Sequence, residues 1–107
     1  LVAALLADCR AEIEAARQLV LATARSRDAD KDIALEASIC KYFASEMCGR
    51  VADRCVQVFG GAGYVADHAS IERYYRDVRL FRIYEGTSQI HQLNITKQML
   101  RRRQGKA

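Results

Sequence analysis

Gln57-Val58-Phe59-Gly60-Gly61-Ala62-Gly63-Tyr64 decides the fold, because a run of glycines either opens a phosphate-binding helix or closes a structural one. The dinucleotide-binding form follows a strand and leads into a helix. Here the preceding segment carries Ile33, Ala37, Cys40, Ala44, Met47, Val51, Cys55 and Val58 at steps of three and four, the period of one helical face. The glycines therefore terminate a helix of about Lys31 to Phe59, since glycine takes the left-handed cap conformation without strain. A Rossmann fold is excluded. Within that helix Glu46 and Arg50 stand four apart, the spacing of an ion pair. Gly49, which costs about 1 kcal/mol against alanine, is either a tolerated defect or the mark of a close helix contact.

Upstream, Val2, Leu5, Leu6, Cys9, Ile13, Ala16 and Val20 trace another apolar stripe over residues 1 to about 27. Ser26-Arg27-Asp28-Ala29-Asp30 breaks it, and Asp28 or Asp30 is expected to cap the next helix. So short a loop makes the first two helices antiparallel neighbours. Downstream, Ile71, Tyr74, Tyr75 and Val78 form a short amphipathic helix, with Glu72–Arg76 and Arg73–Asp77 as i,i+4 pairs. Leu80 to Tyr84 reads as extended. A last helix is expected from about Thr87 to Arg102, with Ile90, Leu93 and Leu100 turned inward and a basic final turn that suits the helix dipole.

Composition agrees with an all-α reading. The 107 residues are half hydrophobic and 28% charged and include no proline, so one helical domain with a core is expected. No apolar run reaches the roughly 20 residues of a membrane span, and Leu1 to Ala7 is too short, and lacks the basic leader, for a signal peptide. Four cysteines (Cys9, Cys40, Cys48, Cys55) make no Cys-x-x-Cys pair and lie far from both histidines, so no metal site is expected and buried thiols in a reducing compartment are the better reading. The net charge of +4 is concentrated in Arg101-Arg102-Arg103 and Lys106. A terminal cluster of this kind reads as solvated tail and lacks the basic stripe of a nucleic-acid surface.

One further stretch carries chemistry: Arg82-Ile83-Tyr84-Glu85-Gly86-Thr87-Ser88-Gln89-Ile90. Glu85 lies beside Leu80, Phe81, Ile83 and Tyr84, and desolvation there would favour the neutral carboxyl and raise its pKa toward that of a useful base. Gly86 lets the backbone approach a ligand, and Thr87 or Ser88 can cap the following helix, whose first N–H groups suit an anion or a polar cofactor edge. Most loop glutamates are solvated, so the residue types alone leave this open.

Tyr84-Glu85-Gly86-Thr87-Ser88-Gln89-Ile90, preceded by Tyr75-Arg76-Asp77-Val78-Arg79 and further back by Gln57 to Tyr64, resembles the C-terminal signature of acyl-CoA dehydrogenases over nearly the whole chain. The resemblance implies an antiparallel helical bundle: a single partial C-terminal domain, residues 1–107, lacking its first helix and the two domains that would precede it. It implies an FAD-dependent enzyme in which Glu85 removes the α-proton of an acyl-CoA thioester while its N–H binds the thioester carbonyl. Tyr84 and Gly86 match substrate-contacting positions. Thr87, Ser88 and Gln89 match a flavin-binding segment, and Gln57, Val58, Phe59, Gly60 and Gly61 match one that reaches the flavin of a neighbouring subunit. The implied partners are an acyl-CoA, an electron-transfer acceptor protein and further copies of the chain in a dimer or tetramer. The implied location is the cytoplasm, or the mitochondrial matrix of a eukaryote, and this piece alone is expected to be inactive.

Two departures bear on the site. His91-Gln92 stands where some members of the family have Gln-Arg, which removes an arginine ion pair. Glu85 itself argues against the subgroup that carries its base on another helix. An acyl-CoA oxidase-like enzyme shares these motifs, and a non-enzymatic helical oligomerisation module would share the scaffold.

Overall fold

The computed structural model describes residues 1–105, and the regular structure among these is all helical, with no strand. The helices are α1 (Val2–Asp28), α2 (Ala34–Phe59), α3 (Ile71–Arg79) and α4 (Ser88–Arg103), with short 3₁₀ turns at Gly60–Gly63 and Leu80–Arg82. Helix α2 is the spine, touching α1, α3 and α4. Glu12 of α1 meets Arg50 and Arg54 of α2, and Thr23 of α1 meets Cys40, so these helices run antiparallel. Helix α4 is antiparallel to α2 as well: Ser88 meets Glu46, Gln92 meets Tyr42 and Arg102 meets Glu36. All-α architecture is as expected from the periodicity.

The shape is a rod of 54 × 24 × 23 Å with a radius of gyration of 16.7 Å, against about 13 Å for a compact domain of this size. Its core is correspondingly thinner than composition suggests. The buried hydrophobic residues are Cys9, Ala16, Met47 and Ala52, all small or slender, because two helices about 40 Å long side by side have little interior. Of the expected α1 stripe Leu5, Cys9, Ile13 and Ala16 are buried or half-buried, Val2, Leu6 and Val20 are exposed, and Thr23 joins the buried face.

Several local expectations are revised. Neither Asp28 nor Asp30 caps α2: Asp28 still belongs to α1, Asp30 takes a left-handed turn conformation (φ 58°), and Asp32 Oδ1 accepts from the Ala34 N–H at 3.0 Å. Leu80 to Tyr84 is not extended but coils into a 3₁₀ turn, with the Ile83 and Tyr84 N–H groups both donating to the Leu80 carbonyl. The face of α4 that meets α2 is Ser88, His91, Ile95, Gln98 and Arg102, while Ile90, Leu93 and Leu100, expected inside, are 48%, 67% and 54% exposed. Gly60 does end α2 in a left-handed conformation (φ 67°). The four thiols are free; Cys9 is buried, the others are half-buried, and burial pushes Cys48 and Cys55 up.

Charged side chains do much of the joining between helices. Glu46 does not pair with Arg50; Arg50 reaches Glu12 at 2.8 Å, and Glu46 turns to Arg82 at 3.3 Å. The Glu72–Arg76 pair forms at 3.5 Å, whereas Arg73–Asp77 is absent among the described residues. Arg102 is no solvated tail residue, because its guanidinium makes a two-pronged contact with Glu36 at 2.7 and 2.8 Å, pinning the end of α4 to the start of α2. Lys106 lies outside the described residues. Arg102 holds the Glu36 carboxyl below the ordinary carboxylate range, and Arg54 and Arg50 do the same for Glu12. A carboxyl whose folded pKa lies below its unfolded value stabilises the fold above the unfolded value, about 4.3, and loses that contribution as pH falls through the folded one. Amide protection in the last turns of α4 should therefore fall as pH drops below about 4, and Glu36→Gln should flatten that dependence. Both are read by hydrogen exchange followed against pH.

Candidate active site

The segment from Leu80 to Gln89 leaves α3, coils once and enters α4, and two residues of α2 fix its path. Lys41 is the first. Its ammonium donates to the main-chain carbonyls of Phe81 (2.6 Å), Tyr84 (2.9 Å) and Gly86 (2.6 Å), which uses all three of its N–H donors. Glu46 is the second, accepting from Ser88 Oγ at 2.7 Å and from Arg82 at 3.3 Å. Gly49 is not part of this clamp: a Cβ there would stand 3.5 Å from the Arg82 guanidinium, an ordinary contact, so this glycine is the tolerated defect and marks no close helix approach.

Within the clamped segment Glu85 and Gly86 both adopt positive φ, 54° and 87°. Left-handed backbone costs a non-glycine residue roughly 1–2 kcal/mol, and the surrounding hydrogen bonds hold it. His91 Nε2 lies 3.1 Å from the Glu85 carbonyl oxygen, and the ring lies against Gly86, where an added Cβ would come within 2.7 Å of Nε2. The Glu85 side chain is exposed and has neither a hydrogen bond nor an ion pair among the described residues. The desolvation expected from Leu80, Phe81, Ile83 and Tyr84 is not supplied within this chain: Phe81 and Tyr84 stack on each other at 5.9 Å, and Leu80, Ile83 and Tyr84 stay exposed as an apolar rim.

The start of α4 completes this surface. Thr87 is the N-cap, its hydroxyl accepting from the Ile90 N–H at 3.1 Å, so the N–H groups of the first turn that it leaves unpaired point out of the helix end. Ser88 is only 3% exposed and its hydroxyl is committed to Glu46, so it can serve a ligand through its main chain alone. Gln89 is exposed. Beside these residues is a cleft of about 150 Å³ lined by Glu46, Arg79, Arg82, Ile83, Thr87, Ser88 and Gln89, smaller than the roughly 300 Å³ of the smallest ordinary ligand pockets.

The Gln57–Gly61 stretch is elsewhere. It lies at the far end of α2, about 17 to 28 Å along the helix axis from Glu46 and Lys41. Gln57 and Phe59 are exposed, Val58 is half-buried, and nothing lies within 4 Å of where a Cβ on Gly60 or Gly61 would be. The two stretches are thus separate surfaces of one chain. Among the described residues no cluster of histidine, cysteine and carboxylate could hold a metal ion, and no helix is long and apolar enough to cross a membrane.

Residues 1–100 match the family described as acyl-CoA dehydrogenase, C-terminal domain. This chain belongs to that family. It is 42% identical over 101 residues to a caffeyl-CoA reductase–Etf complex subunit of Acetobacterium woodii, covering 94% of this chain and 26% of that one. It is 43% identical over 96 residues to a probable acyl-CoA dehydrogenase of Bacillus subtilis, covering 90% and 25%. The solved structure of butyryl-CoA dehydrogenase from Megasphaera elsdenii superposes with a TM-score of 0.87 at 36% identity, over 92% of this chain and 26% of that one. The chain thus spans about a quarter of the length of these relatives.

Lys41, Glu46 and His91 were not singled out as functional from the sequence. Glu46 stood out there only for an expected pair with Arg50 and His91 only as a departure from the family pattern, and Lys41 not at all. The geometry of Gly86 yields a test. Gly86→Ala should destabilise the folded chain by at least the roughly 1–2 kcal/mol of left-handed backbone. Adding His91→Ala should recover only the part owed to contact with the ring, while Gly61→Ala should be nearly neutral. Denaturant melts of these three variants and the wild type measure this.

Proposed function

We propose that this chain is the helical C-terminal part of an FAD-dependent enzyme that dehydrogenates acyl-CoA thioesters between the α and β carbons, with Glu85 as the base. The observation that carries the reading is the clamped loop. Glu85 and Gly86 are held in left-handed conformations by Lys41 and His91, yet the Glu85 carboxylate stays exposed and unpaired among the described residues, available to a substrate. Strained backbone held firmly around an unused polar side chain marks a working site more often than a structural one.

In this reading the substrate's thioester carbonyl accepts a hydrogen bond from the Glu85 N–H, which steadies the enolate-like charge that develops there. The Glu85 carboxylate takes the α-proton. The apolar rim of Leu80, Ile83 and Tyr84 would be covered by the acyl chain, which excludes water from the carboxylate. FAD, when bound, supplies the acceptor for the hydride that leaves the β-carbon. Thr87, Gln89 and the main chain of Ser88 would face its polar edge, and Gln57 to Gly61 would serve the flavin of another copy, since one chain keeps the two surfaces apart. The exposed apolar faces, Leu6 and Leu21 of α1 and Ile90, Leu93 and Leu100 of α4, suit burial in a homo-oligomer.

The identity to a caffeyl-CoA reductase subunit supports a second reading in which the physiological direction is reduction of an α,β-unsaturated thioester. The same residues serve it, with the Glu85 carboxylic acid returning the proton to the α-carbon. An electron-transferring protein would be the redox partner in either direction, and reduced flavin that is slow to react with oxygen would set the protein apart from an oxidase.

Glu85→Gln keeps the shape and removes the base. In the full-length, flavin-loaded protein it should bind acyl-CoA normally and slow single-turnover flavin reduction by roughly 10² to 10⁴-fold, the usual contribution of a positioned general base. Reduction within about threefold of wild type, far inside that range, would remove Glu85 from the role.

A further inference from the structure

Lys41 spends its entire hydrogen-bonding capacity on the main chain of the loop that carries the proposed base. A lysine seeking only neutralisation would turn to a carboxylate; this one pairs with none among the described residues. In a trans peptide the carbonyl of one residue and the N–H of the next point in opposite directions, and no peptide bond here is cis. Drawing the Phe81, Tyr84 and Gly86 carbonyls onto one ammonium therefore turns the N–H groups of Arg82, Glu85 and Thr87 away from it. Two of these, Glu85 and Thr87, border the exposed surface of the candidate site. The carbonyl of Glu85 is held separately by His91, so the peptides on both sides of Glu85 are fixed.

We propose that Lys41 is a positioning residue: by gathering the three carbonyls it aims the Glu85 N–H at the thioester carbonyl of an acyl-CoA, and its charge reinforces the dipole of that peptide. The inference rests on the dehydrogenase reading given above. Three donors on one rigid loop fix an orientation that a single bond would leave free to rock, and hydrogen-bond donors already aimed at a developing oxyanion are worth most when they need not reorganise. A misplacement near 1 Å in such a site costs about a hundredfold in rate.

The test uses the full-length, flavin-loaded protein and an acyl-CoA labelled with ¹³C at the thioester carbonyl, whose infrared band falls in frequency when the carbonyl is polarised. Lys41→Met retains the length and apolar stem of the side chain and removes all three donors. The expected result is a lowered band in wild type, a band near that of free substrate in Lys41→Met, and about a hundredfold slower flavin reduction with little change in acyl-CoA affinity. A Lys41→Met protein with the wild-type band and a rate within threefold would overturn the inference, as would a wild type that turns over without shifting the band. Should Lys41→Met not fold, Lys41→Gln, which keeps an amide donor but no charge, should give an intermediate band; a wild-type band there would overturn the inference too. Wild-type protein whose flavin no acyl-CoA thioester reduces overturns the dehydrogenase reading instead, so the two failures are distinct.

Discussion

The ammonium of Lys41 is the point on which the candidate site depends, because it converts a loop with little packing of its own into a fixed feature of α2. None of residues 80–87 is fully buried, and Glu85 and Gly86 sit in backbone conformations that an isolated peptide would leave. What keeps them there is polar: three carbonyls on Lys41, one on His91, and the ends of the loop tied through Arg82 and Ser88 to Glu46. The helix therefore acts as a template, and its residues at positions 41 and 46 matter through what they hold.

The same economy runs through the fold. A rod this thin cannot derive much from a hydrophobic interior, and its helices are joined by charged contacts at intervals along α2, with Glu36, Glu46 and Glu12 each reaching arginines on another element. Half-exposed ion pairs of this kind are individually weak, so they set register more than they supply stability. Larger apolar residues of α1 and α4, such as Leu6, Leu21, Leu93 and Leu100, face outward.

Helix number, order and ends were legible because apolar residues at steps of three and four and the Gly60 terminator are local signals. The family was legible from two motifs in the right order. What failed needed long-range knowledge. Ile90, Leu93 and Leu100 form the apolar stripe that should have faced α2, but Ser88 and Arg102 are fixed to Glu46 and Glu36, and those two ties rotate the stripe outward. Glu46 had a partner four residues away and took two that lie 36 and 42 residues off. Leu80 to Tyr84 has the β-like content of a strand but no neighbouring strand, and coils under Lys41 instead. Around the candidate base, Glu85 and Gly86 stood out by residue type, whereas the role of Lys41 became visible only when three carbonyls from 40 to 45 residues away converged on it.

The reading of Glu85 is a statement about where one carboxylate and one N–H stand relative to a substrate, and a structure can settle it. The decisive measurement is a crystal structure of the full-length protein with FAD and an acyl-CoA analogue that cannot lose its α-proton. It should show the thioester oxygen within about 3 Å of the Glu85 N–H and the Glu85 carboxylate facing the α-carbon, with Lys41 still on the Phe81, Tyr84 and Gly86 carbonyls. A thioester bound away from Glu85, or a Glu85 side chain turned to solvent with the ligand in place, would contradict the account.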